Sequence, residues 1–280
     1  MDQAAGLRNL VRGCPPQRAR VIAVASGKGG VGKTNIVVNL GLILSRQGKK
    51  ILILDADLGL ANVDILLGLL PRYNLLDVLN GQCNLQEVIV RGPHNLLLIP
   101  GVSGFEKLAE LDHFSRNQLM KELATLAKEV DIILIDSGAG ISRTVLSFAA
   151  AAGEAIVVST PEPTAIADAY CLIKALQRLN VSMYLLVNRA ASDADGMITA
   201  RRLRGACHRF LQLDLPLLGI IPDDRHVSEA VRKQQPYSAI YPRCRAAKAL
   251  QEAAARLQGQ DLPFIGPKNF WQCLERLFGR

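Results

Sequence analysis

The sequence lacks the closely spaced cysteine and histidine pairs that build zinc sites and disulfide frameworks. Its 6 cysteines lie far apart, no C-x-x-C motif is present, and the 4 histidines show no paired spacing. We therefore expect free thiols in a reducing cytoplasm.

Long apolar runs and a targeting signal are also missing. The first residues, Met-Asp-Gln-Ala-Ala, do not follow the basic-then-apolar order of a secretory signal. No run reaches the roughly 18 uninterrupted apolar residues that a membrane-spanning helix needs. These absences predict a soluble cytosolic protein that does not span a membrane.

The composition is that of a folded protein with a basic surface. Of the 280 residues 49% are hydrophobic and 21% are charged, which excludes a largely disordered chain. A length of 280 residues suits one large α/β domain or two small ones. The net charge of +8 favours an anionic partner, which can be a nucleotide, a nucleic acid or an acidic lipid.

Short apolar runs alternate with longer segments of helical period, and this alternation predicts an α/β fold with a mostly parallel, twisted sheet flanked by helices. The predicted strands are Val21–Ala25, Ile51–Leu54, Leu96–Ile99, Ile132–Ile135, Ala155–Ser159, Tyr184–Val187 and Leu217–Ile221. The predicted helices are Lys33–Arg46, Ser115–Glu129, Ser142–Ala152, Thr164–Leu179 and Asp195–Leu211. Residues 20–258 are predicted to form one domain.

A glycine-rich segment between the first predicted strand and the first predicted helix fits the phosphate-binding motif G-x-x-x-x-G-K-[ST]. Its glycines let successive backbone N–H groups point at phosphate oxygens, and the helix adds the positive end of its dipole. Lys33 supplies a positive charge to the β- and γ-phosphates, and the Thr34 hydroxyl is a Mg²⁺ ligand. The predicted phosphate-binding residues are Gly27, Lys28, Gly29, Gly30, Val31, Gly32, Lys33, Thr34 and Asn35.

A second lysine, Lys28, lies inside this loop, and three acids follow two other predicted strands. Asp55 and Asp57 follow one strand and Asp136 follows another, at the ends where open α/β sheets bind ligands. Any one of these acids can instead cap the next helix. The segment Lys-Gly-Gly-Val-Gly-Lys-Thr resembles the deviant Walker A motif of the MinD/ParA ATPases, the P-loop family whose fold we therefore expect.

This resemblance implies a role for each residue. Lys28 reaches across an ATP-bound homodimer and neutralises phosphate charge on the partner's ATP. Asp55 and Asp136 help to hold Mg²⁺, partly through water, and Asp57 positions or deprotonates the attacking water. Relatives usually carry Asp-Thr where this chain has Asp136-Ser137, which keeps a hydroxyl. The implied catalytic residues are Asp57, Lys28 and Lys33.

The resemblance also implies an adenine and ribose site, formed after two later strands by Asn188, Arg189, Pro222 and Asp223. An asparagine after a strand is also a common turn residue. Glu162 matches the glutamate that touches the partner's ribose across the dimer. Thr164 is close to it, and the N-cap of the following helix is an alternative role for this threonine.

Two segments, Asp57–Asp64 and Pro161–Tyr170, are similar to the FleN/FlhG branch of the family, which sets flagellar number and placement. The N-terminal Asp2–Arg8 is similar to the D-Q-A-x-x-L-R segment that stimulates the flagellar GTPase FlhF, a relative of the signal-recognition GTPases. Gln3 is the residue implied to reach that GTPase. We therefore interpret residues 1–19 as a partner-activating segment. A flagellar transcription activator and a C-ring protein are further possible partners.

Residues 259–280 are predicted to be a linker followed by an amphipathic helix. Its apolar stripe falls at i, i+3, i+4, i+7 and i+8 and consists of Phe270, Cys273, Leu274, Leu277 and Phe278, with Trp271 at the edge. One interpretation is a membrane-targeting helix that holds the protein reversibly on the inner membrane. The other is a helix that docks on the protein's own core. Both interpretations can apply to different states: the helix docks on the core without ATP and binds the membrane after ATP-dependent dimerisation releases it.

These patterns predict a slow, switch-type ATPase with Mg²⁺ as cofactor, and three alternatives stay open. A ParA-type partition ATPase would bind DNA through the basic residues Arg201, Arg202, Arg204 and Arg209, although a solvated helix face explains them, and no direct contact with nucleic acid is expected. A MinD-like division-site ATPase is the second alternative. The third is a regulator whose ATP site only gates docking to partners.

Overall fold

A mixed sheet forms the centre of the structure, a computed structural model that describes residues 19–57, 63–101, 113–259 and 270. In these residues the strands are β1 (Arg20–Ser26), β2 (Ile51–Ala56), β3 (Val90–Arg91), β4 (Leu97–Ile99), β5 (Ile132–Ala139), β6 (Glu154–Ser159), β7 (Ser182–Ala190) and β8 (Leu217–Pro222). Their order in the sheet is β3-β4-β2-β5-β1-β6-β7-β8. Only the β3–β4 pair is antiparallel. The predicted mostly parallel α/β fold is therefore confirmed.

Helices connect the strands and cover both faces of the sheet. They are α1 (Lys33–Arg46), α2 (Val63–Leu67), α3 (Leu75–Leu79), α4 (Leu85–Val88), α5 (His113–Leu126), α6 (Arg143–Ala152), α7 (Pro163–Gln177), α8 (Asp193–Leu211), α9 (Arg225–Arg232), α10 (Tyr237–Ile240) and α11 (Arg245–Gly259). A short 3₁₀ turn, Pro93–Asn95, precedes β4.

The core has two halves, one on each face of the sheet. In β2, Leu52 and Leu54 pack with α5 to α8, whereas Ile51 and Ile53 pack with α1 and α11. Side chains of a strand point alternately to opposite faces, so a strand covered on both sides must be apolar throughout. This explains the continuous apolar runs of the sequence.

Several elements begin one or two residues from the predicted position, and for two helices the structure shows the local cause. Helix α7 starts at Pro163 with Glu162 as its N-cap, so the alternative that Thr164 is the cap is wrong. Proline is tolerated at the first helical position because the N–H it lacks would have no helical partner there. Helix α8 starts at Asp193 because the Ser192 hydroxyl accepts a hydrogen bond from the Asp195 N–H at 3.1 Å.

The topology brings seven strand ends to one edge of the sheet. All the described strands except β3 are parallel, so the loops that follow them lie at the same edge. No helix in the described part of the chain is long and apolar enough to cross a bilayer. Cys83, Cys171, Cys207 and Cys244 are free thiols, as expected, whereas Cys14 and Cys273 lie outside the described residues.

Candidate functional site: a phosphate loop with flanking acids

The glycine-rich loop joins β1 directly to α1, in the predicted strand–loop–helix order. Gly30 and Gly32 have φ angles of 76° and 93°, in the left-handed region that glycine adopts without steric cost. Gly32 is the N-cap of α1 and offers no side chain to the N–H groups of the first helical turn. Those donors and the helix dipole favour an anion at this end of α1.

Two neighbouring elements fix the loop from outside. A Cβ atom added to Gly27 would lie 2.1 Å from the carbonyl oxygen of Asp168, because the backbone of α7 passes directly against the loop. On the other side, the buried Asn188 at the end of β7 donates its side-chain N–H to the Val31 carbonyl at 2.8 Å. The loop conformation therefore depends on β7 and α7 as well as on its own glycines.

Replacing Gly27 with alanine should destabilise the fold by at least about 1–3 kcal/mol, the usual cost of overpacking, because the new methyl group meets backbone rather than a movable side chain. Gly29→Ala is the matched control, since its Cβ would meet nothing closer than the Ala139 Cβ at 3.9 Å. Urea denaturation without nucleotide measures both free energies of unfolding. Equal stability of the two variants would contradict the close packing of Gly27 against α7.

The predicted metal-holding acids lie side by side on neighbouring strands. Asp55 of β2 and Asp136 of β5 are register partners, and both side chains are buried. The Asp55 oxygens accept long hydrogen bonds from the N–H groups of Asp57, at 3.3 Å, and Val63, at 3.5 Å. Neither oxygen of Asp136 has a hydrogen-bond partner of ordinary geometry among the described residues.

The ionisable side chains at the ends of β2 and β5 and in the phosphate loop shift one another's pKa values. Burial raises the pKa of the Asp136 carboxyl to about 7; Asp55 contributes in the same direction, and Thr34 and Lys33 act in the opposite one. Burial likewise lowers the pKa of Lys33, which the charges of Asp136 and Asp57 partly offset. A buried carboxylate whose charge is only partly offset is costly unless a cation or a proton compensates it. Asp136 therefore fits a Mg²⁺ site between β2 and β5.

Asp57 lies against the C-terminal end of β5. Its Oδ1 would be 3.7 Å from a Cβ added to Gly138. The Ser137 hydroxyl donates to the Val24 carbonyl at 2.8 Å, and the Gly140 N–H donates to the Ser26 carbonyl at 2.8 Å. The segment after Asp136 is thus held against β1, next to the phosphate loop.

The two lysines of the loop have opposite surroundings. Lys33 is 7% exposed, whereas the Lys28 side chain is 39% exposed. The Lys28 ammonium donates to Glu162 Oε2 at 2.8 Å and to the Thr164 hydroxyl at 3.0 Å. The hydrogen bond and charge of Lys28 lower the pKa of Glu162. Within one protomer, Lys28 is therefore paired with Glu162 beside the phosphate loop. The contact with Thr164 was not predicted from the sequence.

The predicted adenine-side residues come together at the ends of β7 and β8. Ala190 and Pro222 are register partners, and the Asp223 N–H donates to the Ala190 carbonyl at 2.8 Å. Arg189 has a φ of 56°, in the left-handed region. Asn188 is in the same group, and its amide N–H is already bonded to the phosphate loop.

Of the predicted residues at the chain ends, only Phe270 is described. It is 7% exposed and belongs to the core half that contains α5 to α8. This residue is thus docked on the core in this state. Gln3, Trp271, Leu274, Leu277 and Phe278 lie outside the described residues.

Comparisons with known proteins agree with this geometry. Residues 19–186 match the family model described as AAA domain. The chain is 40% identical to the antiactivator FleN of Pseudomonas aeruginosa, over 87% of this chain and 88% of that protein. It is 33% identical to the flagellum site-determining protein YlxH of Helicobacter pylori, over 99% of both chains.

Solved structures share the fold. The cell division ATPase MinD of Pyrococcus furiosus superposes with a TM-score of 0.70 at 28% identity, over 86% of this chain and 98% of that one. MinD of Pyrococcus horikoshii, solved in complex with Mg-ADP, gives the same TM-score of 0.70 and identity of 28%, over 86% of this chain and 96% of that one. The chain belongs to the MinD/ParA-type family of P-loop ATPases and stands close to the flagellar regulators FleN and FlhG.

Proposed function

We propose that the protein is an ATP-hydrolysing switch that dimerises around bound ATP and controls the number and placement of flagella. The observation that carries the proposal is the pair of lysines in one phosphate loop, Lys33 buried beside the acids and Lys28 exposed beside Glu162. One lysine serves the protomer's own nucleotide, and the other is at the surface, where a second protomer can approach. The similarity to FleN and YlxH supports the flagellar role.

Within one protomer, the residues of the loop and the strand ends bind and orient the triphosphate. The loop N–H groups and Lys33 hold the phosphates, while Thr34, Asp55 and Asp136 would hold Mg²⁺. When bound, Mg²⁺ neutralises charge on the phosphate oxygens. Asp57 orients the attacking water and accepts its proton, from a position beside the end of β5.

Dimerisation completes the site through Lys28 and Glu162. Lys28 leaves its contacts with Glu162 and Thr164 and moves to the phosphates of the partner's ATP, which gives the dimer its dependence on ATP. Glu162 is then available to the partner's ribose. Asn188, Arg189, Pro222 and Asp223 contact adenine at the ends of β7 and β8.

Membrane attachment would follow the ATP-bound state. An apolar side chain contributes about 1.5–3 kcal/mol when fully buried, so a single short helix binds lipid weakly. A dimer presents two helices, and the second binds at a raised effective concentration. Phe270 is buried on the core in the protomer, which supports docking of this segment in the absence of a partner. We propose that dimerisation releases it.

Deleting residues 269–280 should abolish ATP-dependent co-sedimentation with anionic vesicles and leave nucleotide affinity unchanged. The physical reason is the loss of the apolar stripe. Glu275→Gln, a substitution outside that stripe, is the matched control and should sediment like wild type. Sedimentation that persists after the deletion would show that the helix has only a core-packing role.

The N-terminal segment provides the link to the GTPase FlhF. Replacing Gln3 with alanine should remove stimulation of GTP hydrolysis by FlhF while the protein's own ATP hydrolysis stays unchanged, because Gln3 belongs to none of the sequence segments assigned to the ATP site. Asn9→Ala, beyond the D-Q-A-x-x-L-R segment, should stimulate normally. Phosphate release from GTP measures the stimulation by wild type and by each of the two variants. If Gln3→Ala stimulated as strongly as wild type, Gln3 would have no role in the contact with FlhF.

The overall proposal is tested by counting flagella in cells that lack the gene and carry either wild-type protein or Asp57→Ala. We expect wild type to restore the normal number and the variant, locked in one nucleotide state, not to. If Asp57→Ala restored the normal number as well as wild type does, flagellar control would not depend on ATP hydrolysis. Salt-sensitive binding of the ATP-bound dimer to duplex DNA would instead favour a partition ATPase.

A further inference from the structure

Three side chains of different chemistry meet where β8 ends. Asp224 follows β8, His226 lies in the first turn of α9, and Cys244 directly precedes α11. One carboxylate oxygen, one imidazole nitrogen and the thiol sulfur all lie within 4.8 Å of one another. We name this group the Asp224 cluster. The sequence alone does not reveal it, because Cys244 is far along the chain from the other two residues.

The hydrogen bonds of Asp224 leave its carboxylate able to accept a further ligand. Oδ1 accepts from the His226 N–H at 3.0 Å and contacts the His226 Nδ1 at 2.7 Å, and Oδ2 accepts from the Ala246 N–H at 3.2 Å. Burial alone would raise its pKa, but the hydrogen bonds from His226 and Ala246 lower it to about 2. A carboxylate has about four lone-pair positions, so these hydrogen bonds leave at least one position free for a metal ion.

The other two ligands are also held in place. The imidazole of His226 packs against the Tyr241 ring at a centroid distance of 4.7 Å. Tyr241 is fixed in turn by hydrogen bonds with Glu229, at 3.1 Å, and with Lys233, at 2.9 Å. The Cys244 sulfur accepts from the Ala247 N–H at 3.4 Å, at the start of α11. The cluster is therefore ordered before any ligand binds.

We propose that the Asp224 cluster binds a divalent transition-metal ion of the zinc class. Sulfur, nitrogen and oxygen donors together suit Zn²⁺ or Co²⁺, whereas Mg²⁺ takes oxygen ligands. Burial raises the pKa of the Cys244 thiol, so the ion must displace the thiol proton as it binds. The carboxylate and the thiolate then carry two negative charges, which balance the two positive charges of the cation. Binding requires the three donors to draw in around the ion, and three protein ligands leave a fourth tetrahedral position for water.

The position of the cluster gives the ion a structural consequence. Asp224 directly follows Pro222 and Asp223, the residues assigned to the adenine side, and it already bonds the first turns of α9 and α11. An ion on Asp224, His226 and Cys244 would tie those two helix starts to the end of β8. Because the ion binds only the folded state, it should raise the midpoint of thermal unfolding.

The test is titration of the chelator-treated full-length protein with Co²⁺ alone, followed by its absorption spectrum. We expect a thiolate-to-cobalt charge-transfer band and strong tetrahedral d–d bands, both removed by Zn²⁺. Co²⁺ held at the nucleotide site would have only oxygen ligands and would give weak bands without charge transfer. A spectrum of that second kind alone would overturn the proposal.

Two variants and one control assign the ligands. Cys244→Ser should abolish the charge-transfer band, and His226→Gln should weaken Co²⁺ binding by about tenfold or more. Serine is a favoured helix N-cap, so Cys244→Ser keeps α11 intact, which ADP affinity and circular dichroism verify. Cys171→Ser removes an exposed free thiol of α7 and should leave the spectrum unchanged. A charge-transfer band that survives in Cys244→Ser would assign the metal to another thiol and overturn the proposal.

Discussion

Replacing Asp57 with alanine is expected to lower ATP hydrolysis by about 10²–10⁴-fold, the usual contribution of a general base, while an ATP-bound dimer still forms. Asp57 lies beside the end of β5, and Lys33, Thr34 and the loop N–H groups, which we propose hold the phosphates, remain in the variant. Binding and dimerisation therefore persist while the attacking water loses its acceptor. Phosphate release measures the first effect, and gel filtration with Mg²⁺ and ATP measures the second.

The control for Asp57→Ala is Asp64→Ala. Asp64 is an acid of α2, and its carboxylate accepts from the neighbouring Ile65 N–H at 2.7 Å. This variant should hydrolyse ATP at close to the wild-type rate. An Asp57→Ala protein that stays monomeric with saturating ATP would contradict the separation of binding from hydrolysis, and one that hydrolyses normally would remove Asp57 from the reaction.

Replacing Lys28 with alanine should abolish dimerisation with ATP and leave ATP binding to the monomer nearly unchanged. Removing one partner of a desolvated charge pair costs about 2–5 kcal/mol, and a symmetric dimer loses two such contacts. Lys33 is buried beside Asp136 and still binds the triphosphate of its own protomer. Nucleotide affinity by fluorescence titration and mass by light scattering measure the two effects separately.

Two further substitutions make this result specific. Lys128→Ala removes an exposed lysine from the turn after α5 and should dimerise like wild type. Glu162→Gln removes the charge that holds Lys28 within the protomer, so it should weaken that contact without removing Lys28. A Lys28→Ala protein that dimerises normally would show that Lys28 has no role across the interface.

The fold was largely predictable because its strands are buried on both faces. All seven predicted strands are present, since a run such as Ile51–Leu54 is apolar at every position. The antiparallel β3 was missed because two residues are too few for a periodic pattern. Helix α11 was missed although a signal existed: its buried residues, Ala246, Ala247, Leu250, Ala253, Ala254 and Leu257, follow helical spacing.

The candidate site was predictable where it is local in sequence. The glycines, Lys33 and Thr34 lie in one loop, and the strand ends placed Asp55 and Asp136 beside it. Contacts between distant segments were not predictable, because no short spacing encodes them. Asn188 bonds Val31, and Lys28 bonds Thr164, only because parallel strands bring their following loops to one edge.

The central claim is that bound ATP joins two copies of this chain. Sedimentation equilibrium of the wild-type protein, with and without a non-hydrolysable ATP analogue and Mg²⁺, measures it most directly. The account predicts the mass of one protomer without the analogue and twice that mass when the analogue saturates the site. A single-protomer mass at saturation, with nucleotide binding verified in the same sample, would contradict it.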